Sequence, residues 1–480
     1  MEMIVLLKGR FQAGLIVGRP GRYDGLQNLQ SSEKGGNHRM KNRCEILAIA
    51  GVLACVLFCG SVLRAQQQTV LDKDGQYQIS GILRDAYNDV KKHYYDPKIH
   101  GLDWDARYQQ YTAKIGTMRN LGEGFRLVTA FLSGLKDSHV FFMPPERSNH
   151  FDAGYKIELV GNDGYITQIR PKSDAESKLH IGDLVVKHTG YNLNREDFYD
   201  LRYYYTTLVP RPAVELVLRS PGGVERMEVV NSRVKVGKAI YSYEETSNHF
   251  DDKYRESELS NDATRSRIVE RGDVAIWKLQ LFNLDDGEII RTFRVADKHK
   301  TLILDLRGNP GGAVDTLKMI VGSLFDKDIK IADRVTRKET KPMVAKHRGN
   351  PFDGKIIVLV DASSASCAEL LARVMQLEHR GTVIGDKTSG AVMEALHYFE
   401  TQEGGTTFAY GFSITDADLI MSDGHSLEKT GVQPDELMLP TGADLAAGRD
   451  PVLAHAAELA GIKLDPVEAG KMFPYEWTPF

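Results

Sequence analysis

The sequence predicts a multidomain protein of the α/β class. Its 480 residues exceed what one compact core holds, since domains usually contain roughly 100 to 200 residues. Three apolar runs of strand length, at 274–279, 302–306 and 356–360, are each followed by a turn and then by apolar residues at helical spacing. Alternating strands and helices form mainly parallel sheets with helices packed on them. We therefore expect a β-α core domain in this part of the chain.

Changes in residue pattern divide the chain into regions. Residues 66–150 carry apolar side chains at helical spacing and predict an N-terminal helical domain. Residues 151–235 consist of short alternating runs separated by glycines, which predicts a small β-rich domain. Residues 236–270 are charged and without periodicity, as in a linker. The core domain is then expected to occupy residues 271–480.

The beginning of the chain has the pattern of an export signal. Residues 46–63 are almost entirely apolar, follow basic residues and precede a small residue, so we interpret 40–65 as a signal peptide. Residues 1–39 are polar and glycine-rich, which predicts a non-structural extension and favours Met40 as the true start. Both features indicate an exported protein, periplasmic or extracellular. An uncleaved segment would instead act as a membrane tether.

Composition limits the chemistry that the chain can carry. The formal charge of −4 argues against a nucleic-acid partner. Cys44, Cys55 and Cys59 lie in or beside the apolar segment, so only Cys367 would remain after cleavage and no disulfide framework is available. One remaining hypothesis is that the thiol of Cys367 acts as a nucleophile. We expect no cofactor and no metal site.

Two turns at the ends of core strands carry candidate chemistry. After residue 360 the chain passes through small residues to Ser366, and apolar residues then recur at helical spacing. A serine at such a turn lies near the free N–H groups and the positive end of the helix. Adjacent glycines at Gly311 and Gly312 permit a backbone that exposes successive N–H groups to an anion. The alternative interpretations are helix capping by serine and an ordinary tight turn.

A serine hydroxyl needs a base within hydrogen-bond reach and a third group that orients the base. His139 lies at the end of the helical region in the segment Asp137-Ser138-His139 and is a candidate for the base. Most histidines are structural or solvated, so position alone does not assign this role.

Three sequence blocks together resemble the C-terminal processing peptidase family. They lie at 304–312, at 364–369 and at 385–390, in the order that the family shows. The resemblance covers most of the chain after the predicted signal. It implies a ClpP/crotonase-like core domain, an N-terminal helical domain and a PDZ-like module at 151–235. In that module Gly154, Tyr155, Lys156 and Ile157 would bind a peptide along the edge of the sheet.

One position departs from the Ser-Lys members of the family. Where they carry the lysine base, this chain has Ala391. Lys387 lies four residues earlier, and a Ser366–Lys387 dyad is kept as an alternative. The sequence is more similar to the tricorn-core branch, which pairs a Ser-His dipeptide with the nucleophile and a late glutamate.

The resemblance to that branch implies a catalytic tetrad. Ser366 would be the nucleophile, His139 the base and acid, and Ser138 and Glu428 the groups that orient and polarise the histidine. A solvated Glu428 and a rival base at His425 are the alternatives. The peptidase hypothesis adds an oxyanion site made of backbone N–H groups of Gly311, Gly312 and Cys367.

We therefore expect a secreted serine peptidase that hydrolyses peptide bonds of peptides or unfolded proteins, including bonds near their C-termini. Because the lysine is missing, a second hypothesis is a catalytically degenerate, exported peptide-binding protein that uses residues 151–235. A third is a carrier of hydrophobic ligands, since one fold can serve several functions. The sequence does not indicate an oligomeric state.

Overall fold

The computed structural model describes residues 70–236, 266–402, 408–477 and 480. The predicted extension at 1–39 and the predicted signal peptide at 40–65 lie outside these ranges. Over the described ranges, no helix is both long enough and apolar enough to cross a membrane. The expected multidomain α/β organisation is confirmed.

The first described region is helical. Asp72, Asp103 and Asn120 each accept a hydrogen bond from a backbone N–H in the first turn of the helix that follows, which fixes where these helices begin. One apolar face of each helix packs into a shared core that includes Phe131 and Trp104. In chain order the helices are α1 (Lys73–His93), α2 (Trp104–Thr112) and α3 (Leu121–Leu132).

The second region is formed mainly by antiparallel strands and is called the β module below. Its main sheet has the order β3-β4-β5-β7-β8, with β6 beside β5, and β2 pairs separately with β9. Strand β3 is an end strand of the main sheet. The elements are β2 (Asn149–Asp152), β3 (Tyr155–Val160), β4 (Asp163–Ile169), β5 (Leu184–His188), β6 (Tyr191–Asn192), α4 (Phe198–Tyr203), β7 (Ala213–Arg219), β8 (Glu225–Asn231) and β9 (Arg233–Val236).

The core sheet has the order β10-β11-β12-β15-β16-β19, and all its pairs except β10–β11 are parallel. The three apolar runs of the sequence form β11, β12 and β15 almost residue for residue. The strands are β10 (Ser266–Arg271), β11 (Val274–Leu279), β12 (Thr301–Asp305), β15 (Lys355–Val360), β16 (Thr382–Gly385) and β19 (Glu436–Leu437).

Helices cover both faces of this sheet, which explains why its strands are apolar on both sides. Alternate strand residues such as Trp277 and Leu304 pack in one core with the first three helices below, whereas Ile303 and Ile357 pack with the last two. The helices are α5 (Asp286–Ala296), α6 (Val314–Gly322), α7 (Cys367–Leu377), α8 (Gly442–Ala446), α9 (Pro451–Leu459) and α10 (Pro466–Lys471).

The start of the core domain differs from the expectation. Strand β10 begins at Ser266, inside the stretch 236–270 that was expected to be a linker. This strand is the edge of its sheet and carries Arg267, Glu270 and Arg271. Charged side chains are common on edge strands because they oppose unwanted pairing, and here they hid the strand pattern. Residues 237–265 lie outside the described residues.

A second, antiparallel sheet, which the sequence pattern does not predict, joins the helical region to the core. Its order is β1-β18-β13-β14, with β17 also paired to β18. Tyr410, Phe412 and Ile414 of the long strand β18 belong to the apolar core of the helical region. This sheet places the chain just before β1 beside the core domain. The strands are β1 (Phe141–Met143), β13 (Ile329–Thr336), β14 (Thr340–Ala345), β17 (Met393–Gln402) and β18 (Phe408–Met421).

Candidate active site

Ser366 lies between the end of β15 and the start of α7, as the sequence predicted. Its backbone has φ 54° and ψ −118°, a conformation that non-glycine residues rarely adopt. Its N–H is held by two acceptors, the carbonyl of Ala391 at 2.9 Å and Glu369 Oε2 at 3.0 Å. Strained residues of this kind persist where the surroundings fix them, and they are concentrated at functional sites.

The glycine turn after β12 lies directly against Ser366. Gly311 has φ 104°, and a Cβ atom placed on it would be 2.7 Å from the Cβ of Ser366 and 3.2 Å from the N of Cys367. The Ala365 N–H donates to the carbonyl of Asn309 at 2.9 Å and joins the two turns. The carboxyl ends of two neighbouring parallel strands therefore meet here, as expected for a site in such a sheet.

The three backbone N–H groups that are expected to bind an oxyanion differ in whether they already donate to an acceptor. The N–H of Gly311 donates to Asn309 Oδ1 at 2.8 Å, so in this structure it already has an acceptor. Within the described residues, the amides of Gly312 and Cys367 donate no hydrogen bond to another residue. Cys367 is the first residue of α7, where backbone N–H groups have no partner within the helix.

The thiol of Cys367 is poorly suited to be a nucleophile. The residue is 1% exposed, and its Sγ donates to the carbonyl of Gly312 at 3.3 Å. Burial raises the pKa of this thiol to about 12, so the thiolate that would attack a substrate is scarce near neutral pH.

Ser138, His139 and Glu428 form a continuous hydrogen-bonded group. The Ser138 hydroxyl lies 2.7 Å from Glu428 Oε2 and 2.8 Å from His139 Nδ1, and the Ser138 N–H donates to Glu428 Oε1 at 2.9 Å. A hydroxyl has one proton, which goes to the carboxylate. His139 Nδ1 must then be the protonated nitrogen, which leaves Nε2 as the free base.

Burial controls the protonation of this group. It lowers the pKa of His139, with Asp137 acting in the opposite direction and His397 adding to the decrease. Burial also raises the pKa of Glu428, against the hydrogen bonds that the carboxylate accepts from Ser138 and from the Val392 N–H. The histidine is therefore held neutral at physiological pH, the form that can accept a proton.

A two-residue segment connects this group to Ser366. The carbonyl of Ala391 accepts the hydrogen bond of the Ser366 N–H at 2.9 Å, and the next N–H, that of Val392, donates to Glu428 Oε2 at 3.0 Å. Ala391 stands where the Ser-Lys members have their lysine, so the structure brings no titratable side chain to Ser366 from this position. The backbone of Ser366 and the carboxylate of Glu428 are thus held by two residues that are adjacent in sequence, Ala391 and Val392.

The alternative bases lie elsewhere. The carbonyl of Lys387 accepts a hydrogen bond from Arg195 of the β module, and the Lys387 N–H donates to Asp386 Oδ1 at 2.7 Å. Within the described residues, Lys387 makes no hydrogen bond to Ser366. His425 is exposed, and its N–H donates to Asp423 Oδ1 at 3.1 Å.

Glu369 is a site residue to which the sequence analysis assigned no role. Its fully buried carboxylate accepts hydrogen bonds from the N–H groups of Ser366, Gly390 and Ala391 at 2.8–3.0 Å, and from the Thr388 hydroxyl at 2.5 Å. Burial raises its pKa to about 7, and the hydrogen bonds oppose this increase. The signal was present in the sequence, because Ser366-Cys-Ala-Glu369 has the spacing of a capping box.

The predicted peptide-binding residues lie at an edge of the β module that pairs with no other strand among the described residues. Tyr155, Lys156 and Ile157 are at the start of β3, the end strand of its sheet. Gly154 precedes them with φ 76°, and its N–H donates to Asp152 Oδ1 at 3.0 Å. A Cβ atom on Gly154 would lie 2.5 Å from the Cβ of Ser173, so only glycine fits there.

The β module is anchored to the core near Ser366. Arg195 Nη1 donates to Asp386 Oδ1 at 3.2 Å, and its Nη2 donates to the carbonyl of Thr388 at 3.3 Å. The Gly161 N–H also donates to Asp386, at 2.8 Å. Thr388 in turn hydrogen-bonds Glu369, so the segment that holds Ser366 is also in contact with the β module.

Two parts of the chain match known families. Residues 273–438 match the model of peptidase family S41, and residues 77–132 match the tricorn protease C1 domain. A carboxyl-terminal-processing protease of Synechocystis sp. is 31% identical over 137 residues, which are 28% of this chain and 30% of that protein. A tricorn protease homolog of Streptomyces coelicolor is 24% identical over 407 residues, 78% of this chain and 32% of that protein. The chain thus spans about a third of the length of these two relatives.

The fold is also similar to that of a solved structure. A crystal structure of a CPAF mutant aligns with a TM-score of 0.59 and 14% identity, and the alignment covers 85% of this chain and 99% of that one. At this identity the likeness concerns the fold alone. Together, these comparisons show that residues 273–438 are similar to peptidase family S41 and that part of the chain resembles a carboxyl-terminal-processing protease.

Proposed function

We propose that this protein is an exported serine peptidase that hydrolyses peptide bonds in peptides or unfolded proteins, with Ser366 as nucleophile and His139 as base. The observation that carries the proposal is the hydrogen-bonded group Glu428–Ser138–His139, joined to Ser366 through Ala391 and Val392. An activated serine requires a base, a group that orients the base and backbone donors, and the proposal assigns these roles to His139, to Ser138 with Glu428, and to the amides near Ser366.

In the proposed reaction, His139 Nε2 takes the proton of the Ser366 hydroxyl while the serine oxygen attacks the substrate carbonyl. The imidazolium that forms donates through Nδ1 to Ser138, whose hydroxyl passes the polarisation to the carboxylate of Glu428. His139 then gives the proton to the leaving amine, and the peptide bond breaks. Water, deprotonated by the same nitrogen, hydrolyses the acyl-enzyme and restores Ser366.

The negative oxygen of the tetrahedral intermediate would lie at the start of α7. The amides of Gly312 and Cys367 are the donors that this proposal assigns to it, since each lacks another acceptor among the described residues. Gly311 supports the site by its close approach to Ser366, and its own N–H contributes only if it leaves Asn309 Oδ1. One donor of this kind is typically worth about 3 kcal/mol of barrier.

The proposed substrate enters as an extended strand. In the described part of the chain β3 is an end strand, and its edge at Gly154, Tyr155, Lys156 and Ile157 can pair with such a strand through main-chain hydrogen bonds, as PDZ-type modules do. The name of the cyanobacterial relative, a carboxyl-terminal-processing protease, favours substrates cut near their C-termini. Export rests on the sequence pattern at 40–65.

The test is hydrolysis of unstructured and C-terminally extended peptides by the purified protein, followed by mass spectrometry. The proposal expects cleavage that is lost in Ser366→Ala and in His139→Ala, while Cys367→Ala retains part of it. Equal hydrolysis by the parent and by Ser366→Ala would refute the assignment.

A second candidate is a peptide-binding protein without catalysis, favoured by Ala391 in place of the lysine and by the occupied amide of Gly311. It predicts that peptides bind to the β module with no Ser366-dependent cleavage. Binding measured beside hydrolysis in the same preparations separates the two candidates.

A further inference from the structure

Three aromatic side chains near the end of the described chain each lie over a cation of the β module. The ring of Tyr475 has Lys156 Nζ 4.0 Å from its centroid. The guanidinium carbon of Arg170 lies 4.4 Å from the ring centroid of Trp477, and that of Arg233 lies 5.2 Å from the centroid of Phe480. All three distances fall within the range of cation–π attraction. Residues 475–477 together with Phe480 are called the aromatic segment below.

The two guanidinium groups that contact the aromatic rings share one carboxylate partner, Asp152. Asp152 Oδ2 lies 2.8 Å from Arg170 Nε and 2.7 Å from Arg233 Nη2. The side chains of Asp152 and Arg170 are only 12% and 11% exposed. Asp152 and Arg233 also face each other in the register of β2 and β9. The shared carboxylate restrains both guanidinium groups, which reduces the freedom that they lose when an aromatic ring packs on them.

This cationic surface lies at the edge where we propose that peptides bind. Lys156 belongs to the predicted peptide-binding residues, and the Arg170 N–H donates to the carbonyl of Gly154 at 2.8 Å. In the β3–β4 register Tyr155 faces Ile169 and Lys156 faces Gln168, so Lys156 and Arg170 lie on the same face of the sheet. Tyr475 therefore contacts one of the predicted peptide-binding residues, and Trp477 contacts a residue that is hydrogen-bonded to another.

Two further contacts fix the aromatic segment. Glu476 Oε1 accepts a hydrogen bond from Arg267 Nη2 at 2.7 Å, which ties the segment to strand β10 of the core. The rings of Tyr475 and Trp477 meet edge to face, with centroids 5.1 Å apart and an interplanar angle of 89°. Tyr475 and Trp477 thus contact the β module, and Glu476 between them contacts the core.

We propose that the aromatic segment is an intramolecular ligand of the β module, and that Lys156, Arg170 and Arg233 select peptides with aromatic side chains two residues apart. A substrate peptide of this class displaces the aromatic segment from β3 before it is cleaved. The proposal rests on the peptidase function for that last step, but occupancy of the surface does not depend on catalysis.

The experiment measures peptide binding in a Ser366→Ala background, so that cleavage cannot interfere. The probe is a fluorescein-labelled synthetic peptide with the sequence of residues 473–480, and the readout is fluorescence anisotropy. The protein variant combines Tyr475→Ala, Trp477→Ala and Phe480→Ala. We expect this variant to bind the probe at least about tenfold more tightly than the parent, because several cation–π contacts no longer compete. Equal affinities, or no binding to either protein, would overturn the proposal.

Two further sets of substitutions test whether the change in probe affinity comes from the aromatic segment and its cations, and not from a general effect on the β module. Adding Arg170→Lys keeps the charge beside Asp152 but removes the planar group, and it should weaken probe binding to the triple variant about threefold or more. Replacing Val224 and Met227, exposed apolar residues of the same module, with alanine in the parent should leave the affinity unchanged. An equal gain from that control would mean that the aromatic segment is not the competitor.

The outcome can be distinguished from failure of the peptidase proposal. Hydrolysis of a short peptide without aromatic residues is followed in the parent that retains Ser366. If the parent does not cleave this short peptide, and the triple variant still binds the labelled probe more tightly, the peptidase proposal fails and the proposal of an intramolecular ligand stands. If cleavage depends on Ser366 while the affinities are equal, the aromatic segment is not a ligand.

Discussion

Glu428 accepts two hydrogen bonds from Ser138, one from the hydroxyl at 2.7 Å and one from the backbone N–H at 2.9 Å, although 290 positions separate them. The antiparallel sheet brings them together, since β1 begins at Phe141, shortly after Ser138, and pairs with β18, which ends at Met421, shortly before Glu428. A helical region and a core domain with separate folds would not make this contact. The candidate site therefore depends on the pairing of β1 with β18.

Removing the Ser138 hydroxyl should impair catalysis more than binding. In Ser138→Ala, His139 Nδ1 loses its acceptor and Glu428 loses one of its donors, so the ring is no longer held in the tautomer with a free Nε2. We expect kcat to fall about tenfold to a thousandfold with KM little changed. Steady-state kinetics will measure this. The control is Ser133→Ala, at a serine whose hydroxyl caps a backbone carbonyl in the same region. A fall in kcat of similar size in that control would contradict the role of Ser138.

The pH dependence of kcat/KM should report the neutral form of His139. Burial lowers its pKa below the ordinary value of 6.5. The neutral ring is the active form, so activity is present above the folded-state pKa and is lost as the pH falls through it. We expect an acid limb with a midpoint below pH 6.5. An acid limb centred above that value would show that another group controls the reaction.

Gly311→Ala should strongly reduce activity. The new methyl group would lie 2.7 Å from the Cβ of Ser366, and the residue would have to adopt φ 104°. We expect a loss of about a hundredfold or more in kcat/KM, together with about 1–3 kcal/mol of unfolding free energy. Kinetics and urea unfolding will measure the two effects. Gly308→Ala is the matched control, because it has φ 74° in the same turn but open space around the Cβ. Equal losses of activity in both variants would mean that strain, and not contact with Ser366, is responsible.

Glu369→Gln should disturb the turn that carries Ser366. All four partners of this carboxylate are donors, so an amide NH2 group in place of one oxygen leaves two of them facing another donor. Each unsatisfied buried group costs about 1–3 kcal/mol. We expect lower unfolding free energy and reduced kcat. The control is Glu378→Gln at the end of the same helix, where the carboxylate pairs with the exposed Lys327. Stability equal to that of the parent in Glu369→Gln would contradict the anchoring role.

Much of the core could be predicted because its signals are local. Apolar runs bounded by turns gave β11, β12 and β15, and the carboxyl ends of those strands gave the two turns that meet at Ser366. The antiparallel sheet was not predicted because its pairing partners are far apart in sequence, as in the pairing of β1 with β18. Strand β10 was not predicted, because it lies at the edge of its sheet, where charged side chains replace the apolar run of a buried strand.

The same difference between local signals and contacts of distant residues applies to the candidate site. Local pattern marks Ser366 and the glycine turn as candidates but leaves helix capping and an ordinary turn open, whereas His139 and Glu428 as partners depend on family resemblance, because a contact between distant residues leaves no local trace. Glu369 had a local signal, the capping-box spacing, but capping predicts a bond to one N–H and not to four partners. The occupied N–H of Gly311 depends on the orientation of one amide side chain, which the sequence does not encode locally.

The central claim is that His139 activates Ser366, and covalent labelling tests it most directly. The parent and His139→Ala are treated with a fluorophosphonate, and the rate of modification of the peptide that contains Ser366 is followed by mass spectrometry. We predict labelling of the parent at Ser366 and a rate at least about a hundredfold lower in His139→Ala. No labelling of the parent, or equal rates in both proteins, would contradict the account.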